Sequence, residues 1–86
     1  MLYRDGYNGW KNRQTWNVAL WINNDTTLYR KAVAYVQKCK QSETVATYRG
    51  FLLDAELYDR KTPDGCSFCG PRLGYEELDA MLNEIE

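Results

Sequence analysis

The sequence NRQTWNVALWINND, residues 12–25, decides the fold of this chain. It holds two of the three tryptophans and an unbroken apolar run, and it ends with three polar residues. The apolar side chains fall on two neighbouring faces of a helix over residues 13–23. Asn12 can cap that helix, because its side chain accepts a hydrogen bond from a free backbone N–H. An alternation of period two over residues 16–22 also fits a strand, but no second convincing strand exists to pair with it. The segment therefore predicts a largely buried helix.

The tryptophans of this helix are expected to lie at the centre of the fold. Large rings bury much area each, so a short chain can build its core from few residues. Substitution of Trp16 by alanine is accordingly expected to unfold the domain. The predicted hub, on which the other helices pack, consists of Trp16, Ala19, Leu20 and Trp21.

Three further helices are predicted from apolar residues at helical spacing. Asn24, Asp25 or Thr26 can cap the first of them, and Ser42 the second. Gly50 interrupts the second at a cost of about 1 kcal/mol relative to alanine, which close packing of helices would explain. The predicted ranges are 26–40, 43 to about 60, and 75–85. The core stripe of the middle helix comprises Val45, Tyr48, Leu52 and Ala55, with Phe51, Leu53 and Leu57 nearby.

The chain is thus predicted to be one all-α domain over residues 1–86. It is expected to form a compact bundle of about four helices in residues 12–86, with an aromatic arm in residues 1–11 and a long loop in residues 61–74. Its 86 residues lie near the lower end of chains that fold without disulfides. The aromatic share of 14% argues against a disordered chain.

The composition excludes several classes of function. The chain has no histidine, which removes the commonest general base and a principal zinc ligand. No glycine-rich phosphate loop occurs, so neither enzymatic activity nor a cofactor is predicted. The first residues lack the apolar region of a signal peptide, and no apolar stretch approaches the roughly 20 residues that span a bilayer. Three cysteines, an odd number, argue against a disulfide framework, so a cytoplasmic protein without a membrane partner is predicted.

Two of the cysteines form a CxxC motif in a loop rich in glycine and proline. Cys66 and Cys69 have the spacing of half a zinc site, and Cys39 would be a third ligand. A fourth cysteine or a histidine is missing from the sequence. A disulfide between Cys66 and Cys69 is the other alternative, while thiols that only pack in the interior are the favoured interpretation.

The formal net charge of −1 hides an asymmetry. Residues 1–41 carry seven Lys/Arg and two acids, a balance of +5, whereas residues 42–86 carry four Lys/Arg and ten acids, a balance of −6. Either the two halves pack together, or the surface is dipolar and meets a charged partner on one face. The predicted protein-binding surface is the acidic face of the last two helices: Asp54, Glu56, Asp59, Glu76, Glu77, Asp79 and Glu84.

The aromatic and basic N-terminal part is the alternative contact surface. Its rings would stack on the bases of a single-stranded nucleic acid, and its cations would meet phosphates. The acidic isoelectric point of about 5.4 weakens this interpretation. The contacts would be Tyr3, Tyr7, Trp10, Lys11 and Arg13.

The segment YNGWKNRQTWNVALWINND, residues 7–25, resembles a family of small uncharacterised proteins found mostly in bacteriophages and some bacteria. The family pattern runs approximately NGW-x-N-x-x-TWNV-x-LW-x-x-N-[DE]. The later TPDG, Pro71 and EELD-x-M segments, within residues 62–81, are also similar, so that the resemblance covers about half of the chain. In that family the positions of Cys66 and Cys69 are not generally cysteine, which argues against a shared zinc site. The resemblance implies a phage or mobile-element accessory protein that acts inside a host cell, but no established activity and no functional residues.

Three functional hypotheses follow from the sequence. The first is a non-enzymatic phage accessory protein that binds and modulates a host or phage protein, in host takeover or in inhibition of a defence system, including an anti-CRISPR role. The second is a module that binds single-stranded nucleic acid. The third is a zinc- or redox-dependent regulator that acts through Cys66 and Cys69. A homodimer formed through surplus aromatic surface is a further alternative.

Overall fold

The computed structural model describes residues 9–85. This part of the chain contains four helices and no strand, and an isolated β-bridge joins Lys61 to Ser67. The predicted all-α bundle is therefore confirmed, and the strand alternative for residues 16–22 is wrong. Residues 1–8, which form most of the predicted arm, lie outside the described residues. The helices are α1 (Arg13–Asn24), α2 (Thr26–Gln41), α3 (Tyr48–Asp54) and α4 (Tyr75–Asn83).

The first two helices begin where their capping residues predict. Asn12 Oδ1 accepts a hydrogen bond from the Thr15 backbone N–H at 2.9 Å, which satisfies one free donor of α1. A single residue, Asp25, ends α1 and caps α2, since its Oδ1 accepts from the Leu28 N–H at 3.0 Å. With one residue between them, α1 and α2 pack directly on each other.

The third helix is much shorter than predicted. Ser42 does not open it but ends α2, and the side chain of Thr47 caps α3 by accepting from the Gly50 N–H at 3.1 Å. Glu43 adopts φ 58° after α2, and Glu56 adopts φ 59° after α3. Both residues occupy the left-handed position at which a Schellman motif ends a helix, a position usually taken by glycine.

The hydrogen bonds of both Schellman motifs are present. After α2, the Thr44 N–H donates to the Cys39 carbonyl at 2.9 Å. After α3, the Leu57 N–H donates to the Leu52 carbonyl at the same distance. The predicted helix over 43 to about 60 is thus reduced to seven residues, and the loop before α4 begins at residue 55 rather than at 61.

The hub of the core differs from the predicted one. Leu20 is 36% exposed, and Trp16 and Trp21 are only half-buried, so that Ala19 alone of the four predicted residues is buried. Trp is too large to be covered completely in so small a domain. Val45 and Leu53 were also predicted in the core but are 75% and 68% exposed. The largest fully buried apolar residues are Tyr48, Phe51, Ile22, Leu52, Leu78, Leu82 and Val18.

The long loop is fixed to α1 by a cluster of polar side chains, some buried and some exposed. Asn17, which is fully buried, donates from Nδ2 to Asp64 Oδ2 at 2.7 Å and accepts from Thr62 Oγ1 at 2.6 Å. The Trp21 indole N–H donates to the same Asp64 oxygen at 2.9 Å. The Cys66 N–H in turn donates to Thr62 Oγ1 at 3.1 Å. The TPDG segment and the tryptophan motif are thus held together, and we call this cluster the polar clamp.

Two other hydrogen bonds position the rest of the loop. The Tyr48 hydroxyl, buried in the core, donates to the Phe68 carbonyl at 2.6 Å, and burial raises the pKa of this hydroxyl far above its usual value. The Gly74 N–H donates to Oγ1 of the fully buried Thr15 at 2.9 Å, just before α4 begins. The start of α4 is therefore fixed against the start of α1.

Candidate protein-binding groove

A groove of about 610 Å³ runs along α4 and reaches the end of α1 and the first turn of α2. Asn23 connects two of its sides, because its Nδ2 donates to the Ala19 carbonyl at 2.9 Å and contacts Met81 Sδ at 3.3 Å. Its lining includes two aromatic rings, two carboxylates and three apolar side chains. The described residues that line the groove are Trp10, Asn23, Tyr29, Glu77, Ala80, Met81, Glu84 and Ile85.

Glu77 is the unexpected member of this lining. It was predicted on the acidic face of the last two helices, but only 4% of it is exposed, so it is not part of an exposed surface. Its side chain turns back from the first turn of α4, and Oε1 accepts a hydrogen bond from the Lys11 backbone N–H at 2.8 Å. Gly74 leaves the room for this turn, since a Cβ at that position would lie 2.5 Å from Oε1. The acid thus links α4 to the segment that precedes α1.

The other oxygen of Glu77 has no hydrogen-bond partner within residues 9–85. Oε2 is buried and receives no hydrogen bond from any of the described residues. A buried polar atom without a partner costs free energy, and most such atoms in folded proteins are paired. This arrangement was not predictable from the sequence, because an acid in the first helical turn normally stays in solvent and stabilises the helix dipole.

Two further acids of the predicted surface have structural roles. Asp54 forms an ion pair with Lys38 at 2.6 Å on the surface. Asp79 is half-buried and accepts a hydrogen bond from the Tyr48 N–H at 2.6 Å, which satisfies a free donor at the start of α3. The remaining predicted acids are exposed: Glu56, Asp59, Glu76 and Glu84. Of these four, Glu84 alone contributes to the groove lining, so the structure gathers only part of the predicted acidic site in one place.

Only some of the predicted nucleic-acid contacts lie in the groove. Lys11 and Arg13 are exposed, whereas Trp10 is half-buried and lines the groove beside the two carboxylates. Tyr3 and Tyr7 lie outside the described residues. Tyr29, an aromatic residue of α2 that is 40% exposed, was not among the predicted contacts but completes the aromatic part of the groove.

The three cysteines do not form a metal site in the described part of the chain. Cys39 and Cys66 are buried and Cys69 is half-buried, all as free thiols. Within residues 9–85, no group of three or more Cys, Asp or Glu side chains is placed to hold a metal ion. The predicted ligand set of Cys39, Cys66 and Cys69 is therefore not assembled.

Comparison with known proteins identifies the family but not the activity. A family model of unknown function, DUF7249, matches residues 3–86. The chain belongs to this family. No curated protein and no solved structure matches the chain. None of the helices described for this DUF7249 member is long and apolar enough to cross a membrane.

Proposed function

We propose that this chain is a non-enzymatic phage accessory protein that binds a host or phage protein in the groove along α4 and so modulates that protein. The groove carries the proposal, because it joins half-exposed aromatic rings to carboxylates at one place on a small domain. The resemblance to phage proteins supports an action in the cytoplasm of a host cell. Host takeover and inhibition of a defence system, including an anti-CRISPR role, are the proposed settings.

The composition of the groove suits a protein partner. Binding energy at protein interfaces is concentrated in a few residues, among which tryptophan and tyrosine are enriched, surrounded by a polar rim. Trp10 and Tyr29 supply such rings, Met81 an adaptable apolar side chain, and Glu84 an exposed charge. A volume of about 610 Å³ lies within the range of ordinary binding pockets.

The same lining supports a binding role rather than catalysis. The described residues of the groove include no serine, threonine, cysteine or lysine that would act as a nucleophile beside the carboxylates. The whole sequence lacks histidine, so the commonest general base is missing as well.

Capture of the partner by matched variants tests the proposal. Tagged protein is incubated with lysate of phage-infected host cells, and the retained proteins are quantified by mass spectrometry. Tyr29→Ala and Glu84→Lys change the groove, whereas Tyr58→Ala and Glu76→Lys change residues of similar exposure outside it. We expect one protein to be retained in near-stoichiometric amount by the wild type and by both controls, and lost from both groove variants.

Two results would contradict the proposal. One is the absence of any specifically retained protein, and the other is a partner that the groove variants retain as well as the controls do. The phage assignment has its own test in the genes that flank the encoding locus. Structural or lysis genes of a phage are expected there, and a setting among bacterial housekeeping genes would refute it.

A second candidate function is binding of single-stranded nucleic acid. The observation in its favour is that the exposed Lys11 and Arg13 closely follow the half-buried Trp10 in the chain. Against it, Trp10 shares the groove with Glu77 and Glu84, whose carboxylates repel phosphates. Titration with oligothymidylate at low salt distinguishes the two functions. Quenching of tryptophan fluorescence that is reversed by salt would favour nucleic acid, and its absence would exclude it.

A further inference from the structure

We infer that the groove takes an arginine side chain of the partner protein, with its guanidinium group paired to Glu77. This inference rests on the proposed function, because it names the chemistry of the partner that binds the same groove. Three features carry it: a buried carboxylate oxygen without a hydrogen-bond partner among the described residues, two aromatic rings in the groove lining, and a second, exposed carboxylate in the same lining.

The charge of the groove selects a cation. Glu77 and Glu84 both line it, and no Lys or Arg is among the described residues of the lining. The main-chain N–H of Lys11 already occupies Glu77 Oε1, so Oε2 is the acceptor that remains. A donor that reaches Oε2 satisfies a buried atom that the described part of the chain leaves unpaired, and hydrogen bonds to a charged group are stronger than those between neutral groups.

The shape and the remaining acceptors favour guanidinium over ammonium. A guanidinium group is planar, is weakly hydrated and stacks on aromatic faces such as those of Trp10 and Tyr29. It also carries five N–H donors in a fixed arrangement, so one group can serve several acceptors at once. The amide of Asn23 has its Nδ2 engaged with the Ala19 carbonyl, which leaves Oδ1 as an acceptor in the same lining.

Access to the buried oxygen requires a small movement. Oε2 is covered in the unbound structure, so the incoming group reaches it after a side chain at the groove has turned aside. Tyr29 and Glu84 are exposed members of the lining, and exposed side chains change rotamer within nanoseconds. Rearrangement of side chains without backbone movement is common at protein interfaces.

Titration with blocked amino acids tests the inference on the whole chain. The probes are the N-acetyl methylamides of arginine, of its neutral analogue citrulline and of lysine, each added to ¹⁵N-labelled protein and followed by NMR. We expect saturable shifts at the Trp10 indole N–H and the Glu77 amide with the arginine probe. The citrulline probe is expected to bind at least about tenfold more weakly, because it lacks the charge. The lysine probe should also bind more weakly.

Substitutions distinguish the loss of the pairing between Glu77 and the probe from the loss of the folded structure. In Glu77→Gln the amide oxygen can keep the Lys11 hydrogen bond, while the carboxylate charge and the free acceptor are lost. We expect this variant to remain folded, with a Tm not below that of the wild type, and to bind the arginine probe at least about tenfold more weakly. Glu84→Gln is expected to weaken binding to a smaller extent. Glu76→Gln, on the same helix but outside the groove, should bind like the wild type.

Several results would overturn the assignment. They are an absence of shifts with the arginine probe, equal binding of the citrulline or lysine probe, or unchanged binding by a folded Glu77→Gln variant. Because the comparison of probes uses the wild-type protein, it stands even if a variant does not fold. A partner that depends on Tyr29 and Glu84, together with no arginine binding, would refute this inference alone. Arginine binding without any groove-dependent partner would refute the proposed function alone.

Discussion

The side-chain amide of Asn17 donates a 2.7 Å hydrogen bond to the carboxylate of Asp64, 47 residues later in the chain. This bond joins the tryptophan motif of α1 to the TPDG segment of the long loop. Asn17 is fully buried, so its amide has no access to water when the loop is in place. The stability of the loop and the burial of α1 therefore depend on each other, and this dependence can be measured.

Asn17→Ala is expected to destabilise the protein by about 1–3 kcal/mol, because it removes a buried amide that pairs with both Asp64 and Thr62. Urea denaturation followed by circular dichroism measures the loss. Asn24→Ala is the control, since Asn24 is exposed and donates only to the Leu20 carbonyl of its own helix. Equal effects of the two substitutions would contradict the importance of the polar clamp.

The clamp also predicts a dependence of stability on pH. Hydrogen bonds from Asn17 and then Trp21 hold the pKa of Asp64 below its ordinary value of 3.8. A carboxylate with a lowered pKa stabilises the folded state above the unfolded pKa, and this contribution is lost as the pH falls through the folded pKa. Asp64→Asn should therefore be less stable than the wild type at pH 7, and the difference should shrink below pH 3.8. Denaturation at several pH values tests this, and a difference that does not change with pH would refute it.

Glycine at the left-handed positions after α2 and α3 should stabilise the protein. Glu43 and Glu56 adopt φ 58° and φ 59°, a conformation that costs an L-residue roughly 1–2 kcal/mol and glycine very little. The greater freedom of glycine in the unfolded chain offsets part of this gain, so we expect about 0.5–1 kcal/mol for each substitution in urea denaturation. Glu43→Ala and Glu56→Ala keep the strained conformation and are expected to give no such gain.

Gly50→Ala should destabilise the protein although alanine favours helices by about 1 kcal/mol. A Cβ at position 50 would collide with the hydroxyl of Tyr35, which also accepts a hydrogen bond from the Thr47 N–H at 3.2 Å. Removal of the hydroxyl by Tyr35→Phe should restore part of the loss. A double-mutant cycle measured by thermal unfolding tests the coupling, and strictly additive effects would show that the two residues do not compete for space.

Ile22→Ala should cost more stability than Trp16→Ala. Ile22 is completely buried, and truncation of a buried isoleucine costs about 2–5 kcal/mol because it leaves a cavity. Trp16 is half-buried, so part of its ring is exposed to water in the folded state. We therefore expect Trp16→Ala to keep a cooperative transition in circular dichroism, with a smaller loss. If Trp16→Ala alone unfolded the protein completely, Trp16 would be a central core residue, as predicted from the sequence.

The parts of the fold that the sequence predicted are those governed by local chemistry. Asn12 and Asp25 are side chains that satisfy free N–H groups within three residues, so the starts of α1 and α2 could be derived from sequence. The close packing suggested by Gly50 is also present, against Tyr35. The early ends of α2 and α3 were missed because a glutamate occupies the position where glycine normally signals a Schellman motif.

The candidate site was harder to predict because it depends on contacts between distant residues. Glu77 is bonded to Lys11, 66 residues earlier, and nothing in the sequence around Glu77 distinguishes it from its exposed neighbour Glu76. Asp79 likewise caps α3 from 31 residues away. Helical spacing places Trp16 and Leu20 on an apolar face, but it cannot show that the loop covers the opposite side of α1 instead.

The burial of Thr15 and Asn17 bears on whether either half of the chain can fold alone. Their partners, Gly74, Thr62 and Asp64, all come from the second half of the chain. A fragment that ends with α2 would lose the hydrogen bonds that join Thr15 and Asn17 to the second half of the chain, while α3 and α4 are too short to form stable helices by themselves. Neither half is thus an autonomous folding unit. The two halves would fold only together, in a single cooperative transition.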